Sequence, residues 1–170
     1  RYLPLLEITP IAETIPEVVS YMKDFCDRKL GKTVVSAKDT PDFIANRIAV
    51  PGVMKIIHVM LADGYTIEEV DKITGKAIGW PKSATFRTLD IVGLDVISNV
   101  VKYLYEHIPA DPRREVLKMP LFADKMIEKG LLGQKAKKGF YQNVKKPDGK
   151  RDIQVIDPET LEYLPGKKVA

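Results

Sequence analysis

The chain is short of the residues that build disulfides and metal centres. It holds one cysteine, Cys26, and two histidines, His58 and His107, in 170 residues. A single thiol forms no internal disulfide, which fits a reducing, cytoplasmic setting. One thiol and two imidazoles spread far apart make a poor zinc site, so no metal is expected. Long hydrophobic runs are missing too: none approaches the roughly 20 residues of a membrane span, and no membrane partner is expected. The sequence has no G-x-G-x-x-G phosphate loop. It also shows no initiator Met and no signal peptide. It starts at Arg1 in mid-pattern, as expected of a piece cut from something longer.

Charge of one sign is scarce outside the tail. Residues 135–170 carry 9 Lys+Arg and 5 Asp+Glu, whereas residues 1–134 carry 18 of each, so the whole net charge of +4 lies in the tail. A nucleic-acid binder would show a basic face on its folded core, so no nucleic-acid partner is expected. What is present is a globular composition, 45% hydrophobic and 29% charged.

Residues 1–37 read as strand-helix-strand. Leu3–Ile8 is apolar enough for a buried strand of a parallel sheet. Thr14 is placed to cap a helix to about Leu30, with Gly31 after its end, and Lys32–Ala37 reads as a second strand. From Asp39 onward the pattern is helical. Thr40-Pro41-Asp42 has the cap, first-turn proline and acidic residue of a helix start. Steps of three and four link Phe43, Asn46, Val50, Val53 and Ile57, so Asn46 is expected on an apolar stripe. A buried amide without a partner costs about 1–3 kcal/mol, so its partner is either protein or substrate. That helix should run to about Ala62 with a kink at Pro51. Thr66-Ile67-Glu68-Glu69 is a capping box for a helix to about Ile78. A long helix is expected over Thr85–His107 with Gly93 in its middle; a mid-helix Gly costs about 1 kcal/mol against Ala, so close backbone packing is expected there. Another starts at Asp111-Pro112, and a further one ends at Gly130. Lys145–Arg151 reads as a polar linker. Asp152–Ile156 and Leu161–Leu164, around Asp157-Pro158-Glu159-Thr160, read as a β-hairpin.

Four groups of residues could carry chemistry. Glu7 shares a strand face with Leu3 and Leu5. It is either a strand-end carboxylate reaching solvent or an Arg, or an acid that orients an imidazole. Asn46 is the second. The segment Pro81 … Phe86 … Asp90-Ile91-Val92-Gly93-Leu94-Asp95 reads on its residues as helix packing plus a cap. The loop Leu132-Gly133-Gln134-Lys135-Ala136-Lys137-Lys138-Gly139-Phe140-Tyr141 either holds an anion or is a solvated connection with an aromatic anchor. His58 and His107 read as structural, and Trp80 and Tyr141 as packing anchors.

Taken in order, Leu-x-Glu, T-P-x-F-I-x-N-R, F-x-x-x-D-x-x-G-L-D and L-G-x-K…G-F-Y resemble the NAD-dependent L-3-hydroxyacyl-CoA dehydrogenases across about residues 1–141. The resemblance implies a mainly α fold. It is a multihelical dehydrogenase C-terminal domain of the 6-phosphogluconate dehydrogenase C-terminal-like kind. A short α/β remnant precedes it and a β-hairpin tail follows. The implied division is 1–37, the trailing part of a Rossmann domain; 39–141, the helical domain; and 142–170, a linker and hairpin like the joint in fusions with an enoyl-CoA hydratase. By the same resemblance Glu7 matches the carboxylate that pairs with a catalytic His. Asn46 matches the amide that holds the reacting part of an acyl-CoA substrate. Lys135 matches a lysine that touches the NAD cofactor. The His and the nucleotide loop of that family are not in this sequence, so oxidation of the 3-hydroxyl in fatty-acid β-oxidation is expected only of a longer protein. A homodimer through the helical domain is also implied. The alternative is a non-catalytic helical association module. Two departures stand out: Ala84-Thr85 where the family often has Gly-Pro, and Ala136-Lys137 where it often has Ser/Thr-Gly.

Overall fold

The computed structural model describes residues 3–145, 149, 151–167 and 169. The chain divides into two compact units, Arg1–Ala49 and Val50–Ala170. The expected linker over Lys145–Arg151 lies mostly outside the described residues.

In the first unit, strand β1 (Leu5–Ile8) pairs in parallel with β2 (Thr33–Ser36), with Leu5 opposite Thr33 and Glu7 opposite Val35. Helix α1 (Pro16–Asp24) joins them and continues as a π-helical turn over Phe25–Lys29. The expected strand-helix-strand order is present. Thr14, however, does not cap α1. The residue before the helix is Ile15, and the Thr14 hydroxyl accepts from the Ile11 N–H instead. None of the described residues of α1 is buried. Two strands and one helix are too few to cover both faces of the sheet, so Leu3 and Leu5 stay exposed and Glu7 is half-buried rather than buried.

Helix α2 (Ala45–Asp63) begins later than Thr40-Pro41-Asp42 suggests. Asp42 and Phe43 have φ of 59° and 51°, which no right-handed helix accommodates. The helical stripe therefore splits. Val50 and Ile57 are buried, Val53 is half-buried, and Phe43 and Asn46 are exposed. Pro51 lies within the helix. By length and composition α2 would suffice to cross a membrane, contrary to the reading of the sequence. Its buried residues, Val50, Met54, Ile57 and Met60, belong to the core of the second unit.

The second unit is helical with a sheet at its end. Helix α3 (Ile67–Ile73) starts with the expected capping box: the Glu69 N–H donates to Thr66 Oγ1 at 3.3 Å and the Thr66 N–H to Glu69 Oε2 at 2.8 Å. It stops at Ile73, and Lys76–Ile78 is a separate 3₁₀ turn. The long helix expected over Thr85–His107 is two helices, α4 (Phe86–Val92) and α5 (Leu94–His107). Gly93, at φ 100° and ψ 128°, breaks the ladder between them. The Asp111-Pro112 segment forms only turns and a 3₁₀ stretch, Arg114–Leu117, and α6 (Leu121–Glu128) follows. The expected hairpin is part of a three-stranded antiparallel sheet in the order β3 (Tyr141–Lys145), β4 (Arg151–Ile156), β5 (Tyr163–Pro165). Asp157 Oδ1 accepts from the Glu159 and Thr160 N–H groups and closes the β4–β5 turn. Val155 and Ile156 enter the same core as Phe86, Leu104 and Met126.

Candidate functional site

In the first unit the carboxylate of Glu7 is fixed by backbone. Its Oε2 accepts from the Ile44 N–H at 3.0 Å and its Oε1 from the Ala45 N–H at 2.8 Å. It thus takes the capping role that the sequence gives to Thr40, whose hydroxyl turns back to the Lys38 carbonyl at 3.4 Å. A carboxylate at a helix N-terminus satisfies orphan amides and sits at the positive end of the dipole. Asn46 follows directly, on the first turn of α2. Its amide is exposed, so the expected buried apolar setting is not found. The structure thus places the Glu7 carboxylate, from β1, on the backbone amide of Ala45, the residue before Asn46, at the N-terminal end of α2. Beside them Asp42 Oδ2 is shut from solvent with no hydrogen-bond partner, and burial raises the Asp42 carboxyl above its ordinary range against the pull of Arg47.

In the second unit the segments 86–95 and 132–141 lock together. Asp90, 6% exposed, accepts the Phe140 N–H at 2.8 Å and the Tyr141 N–H at 2.9 Å. The fit leaves no room for side chains. A Cβ on Gly139 would lie 2.0 Å from Asp90 Oδ1, and one on Gly133 would lie 2.4 Å from the Asp90 carbonyl oxygen. Burial pushes the Asp90 carboxyl up to about 6, against the lowering effect of its two backbone bonds; the neighbouring Asp71 charge adds to the rise. Asp71 lies on α3 and accepts from the Phe86 N–H at 2.6 Å and the Tyr141 hydroxyl at 2.8 Å. Burial raises its carboxyl as well. The Arg87 guanidinium stacks 4.2 Å from the Tyr141 ring centre. Arg87, Asp90 and Tyr141 border an open cleft of about 550 Å³ lined also by Lys82, Gln134 and Asn143.

Lys135 stands on the same loop. Its Nζ lies 2.5 Å from Asp95 Oδ1 and 2.6 Å from Asp95 Oδ2. The hydrogen bond from Lys135 holds the Asp95 carboxyl below its usual range. The close backbone packing expected at Gly93 is not found: a Cβ there would meet side chains instead, 3.0 Å from Asp95 Oδ1 and 3.2 Å from Lys135 Nζ. The backbone adds a tie, with the Leu94 N–H donating to the Leu132 carbonyl at 3.2 Å.

Helix packing plus a cap, read from 86–95, is therefore half of the arrangement; the capped segment lies 50 residues away. Asp71 was not singled out in the sequence. It falls on the stripe Ile67, Val70, Asp71, Thr74, and an acid on a helix's inner stripe is the signal that finds it. His58 Nε2 meets the Val116 carbonyl at 3.1 Å and His107 Nδ1 the Tyr103 carbonyl at 2.8 Å, both structural bonds as expected. Tyr141 is anchored through Asp71, whereas Trp80 is exposed and anchors little. Both departures from the family pattern fall on left-handed backbone, Ala84 at φ 50° and Lys137 at φ 60°. These are conformations that glycine adopts without strain.

Residues 43–143 match the family described as 3-hydroxyacyl-CoA dehydrogenase, C-terminal domain. A probable 3-hydroxyacyl-CoA dehydrogenase of Bacillus subtilis is 51% identical over 163 residues, which is 96% of this chain and 20% of that protein. A putative fatty acid oxidation complex trifunctional enzyme of Rickettsia prowazekii is 33% identical over 99% of this chain and 24% of its own length. The crystal structure of Mycobacterium tuberculosis FadB2 superposes with a TM-score of 0.74 at 29% identity, covering 84% of this chain and 48% of that one. The chain thus spans between about a fifth and a half of the length of these relatives.

Proposed function

The chain belongs to the 3-hydroxyacyl-CoA dehydrogenase family, a family of oxidoreductases, and on that premise we propose that it is the substrate-side part of an enzyme oxidising L-3-hydroxyacyl-CoA to 3-oxoacyl-CoA with NAD in fatty-acid β-oxidation. The observation that carries the reading is the pair of bonds from the Ile44 and Ala45 amides to Glu7. They bring an acid from a strand end to the helix turn that bears an exposed Asn46. There the Asn46 amide donates to the C3 oxygen of the substrate as it changes from hydroxyl to carbonyl, a charge shift that a fixed donor favours. Each Glu7 oxygen keeps a lone pair beyond its backbone bond. That pair is available to steady an imidazolium formed when a histidine from outside this sequence takes the 3-hydroxyl proton. NAD, when bound, supplies the acceptor for the hydride leaving C3. The residue present for it is Lys135, and it fits: the side chain is 47% exposed and one of its three N–H groups donates to Asp95 Oδ2, which leaves donor capacity for a cofactor atom.

The working enzyme is proposed to be a homodimer, since Val96 and Tyr103 leave an apolar strip exposed on α5. The test is Asn46→Ala in the full-length protein. A fall in kcat/KM of roughly 100-fold is expected, with NADH binding unchanged. An unchanged kcat/KM removes Asn46 from the chemistry and leaves the helical association module as the better account. The 170-residue chain alone should reduce no NAD.

A further inference from the structure

The loop 132–141 carries Lys135 to a point where its charge is already cancelled. Asp95 grips the ammonium with both carboxylate oxygens, at 2.5 and 2.6 Å, across the gap left by Gly93. The grip is rigid at both ends. Asp95 lies in the first turn of α5 directly after the Gly93 break. The loop is pinned by the Leu132 carbonyl, by Asp90 beneath Phe140 and Tyr141, and by the Gly133 N–H to the Lys138 carbonyl at 2.8 Å. A lysine held this way offers a hydrogen-bond donor without a free positive charge.

We propose that Asp95 is a positioning residue that lets Lys135 serve the oxidised cofactor. The proposal rests on the reading of Lys135 as a cofactor contact. An oxidised nicotinamide ring is cationic and a reduced one is neutral, so an uncompensated ammonium nearby disfavours the oxidised form alone. Asp95 removes that bias while fixing the Lys135 donor in place. Asp95 therefore sets the relative affinity for NAD⁺ and NADH and leaves substrate recognition to other residues.

The test is a double-mutant cycle on the full-length protein. Kd for NAD⁺ is measured by calorimetry and Kd for NADH by its fluorescence, in wild type, Asp95→Asn, Lys135→Met and the double variant. Both side chains are partly solvent-exposed, so the fold should survive, and circular dichroism checks it. Asp95→Asn should raise the ratio of Kd for NAD⁺ to Kd for NADH by about fivefold, the scale of one partly screened unit charge close to another. The double variant should return the ratio to the wild-type value. If Lys135→Met weakens binding while Asp95→Asn leaves the ratio unmoved, or shifts both constants equally, the role of Asp95 is overturned and Lys135 keeps its contact. If neither single variant moves either constant, the reading of Lys135 fails and takes the proposal with it.

Discussion

Asp90 provides the sharpest test of the interlocked segments. Its carboxyl stands at about 6 in the folded chain against an ordinary 3.8, with burial as the main cause. The folded state therefore binds this proton more tightly than the unfolded state. Between pH 4 and 6 the unfolded chain has released the proton and the folded chain has not, so stability falls as pH rises through that window. At 1.36 kcal/mol per unit, the rise from 3.8 to about 6 amounts to about 3 kcal/mol. Asp90→Asn keeps the shape and one acceptor oxygen but does not titrate. The other carboxylates titrate in both proteins, so subtraction leaves Asp90 together with its coupling to Asp71. Urea unfolding should show the stability of wild type relative to Asp90→Asn dropping by about 2.4 kcal/mol from pH 4 to pH 7, the rest of the change lying below pH 4. A difference that stays flat, or grows with pH, would mean that the two backbone donors outweigh burial, and the reasoning would be refuted. Carbon-13 titration of the carboxyl gives an independent midpoint, expected near 6.

Two further outcomes test the backbone. Gly139→Ala puts a methyl group 2.0 Å from Asp90 Oδ1 and should destabilise the chain by about 3 kcal/mol, mostly by prising the loop from α4; a loss below 1 kcal/mol in urea would contradict the packing. Lys137→Gly, at an exposed position with φ of 60°, should stabilise by about 0.5–1 kcal/mol, the left-handed penalty less the entropy glycine loses. A lower melting temperature for that variant would count against the strain.

The fold was readable where a signal is local. Thr66 and Glu69 lie three apart and satisfy each other, so the start of α3 was plain. Asp157-Pro158 announced its turn in the same way. What escaped depends on distant partners or on a single dihedral angle. Gly93 looked like a costly helix interior because nothing nearby in the sequence reveals Lys135 lying across it. Asp42 and Phe43 leave the helical region although Thr40 and Pro41 favour a helix start, because Glu7 claims the amides of Ile44 and Ala45. The same substitution of caps moved Asn46 from an inferred buried stripe to an exposed first turn. Of strand β3 the sequence shows only its start, the short extended piece Gly139-Phe140-Tyr141; the polar Gln142, Asn143 and Lys145 hide the rest, although it pairs with β4 across a short connection, Lys145 opposite Arg151. At the candidate site the identities of Glu7, Asn46 and Lys135 came from motif order, while the partners of Glu7 and Lys135 came only from the fold.

The cap on α2 has a consequence for the order in which the chain folds. Most helix starts are closed by a residue next door, so they form as fast as the helix itself. Here the closing group is 37 residues away from the amide it serves. Bringing such ends together costs on the order of 3 kcal/mol of chain entropy, and the bond repays it only once β1 is in place. The rest of α2 can nucleate on its buried stripe, whereas the turn bearing Asn46 waits for the strand. By the same token that turn is among the first to let go. The proposed substrate contact is therefore carried on the segment of helix that orders late and opens early.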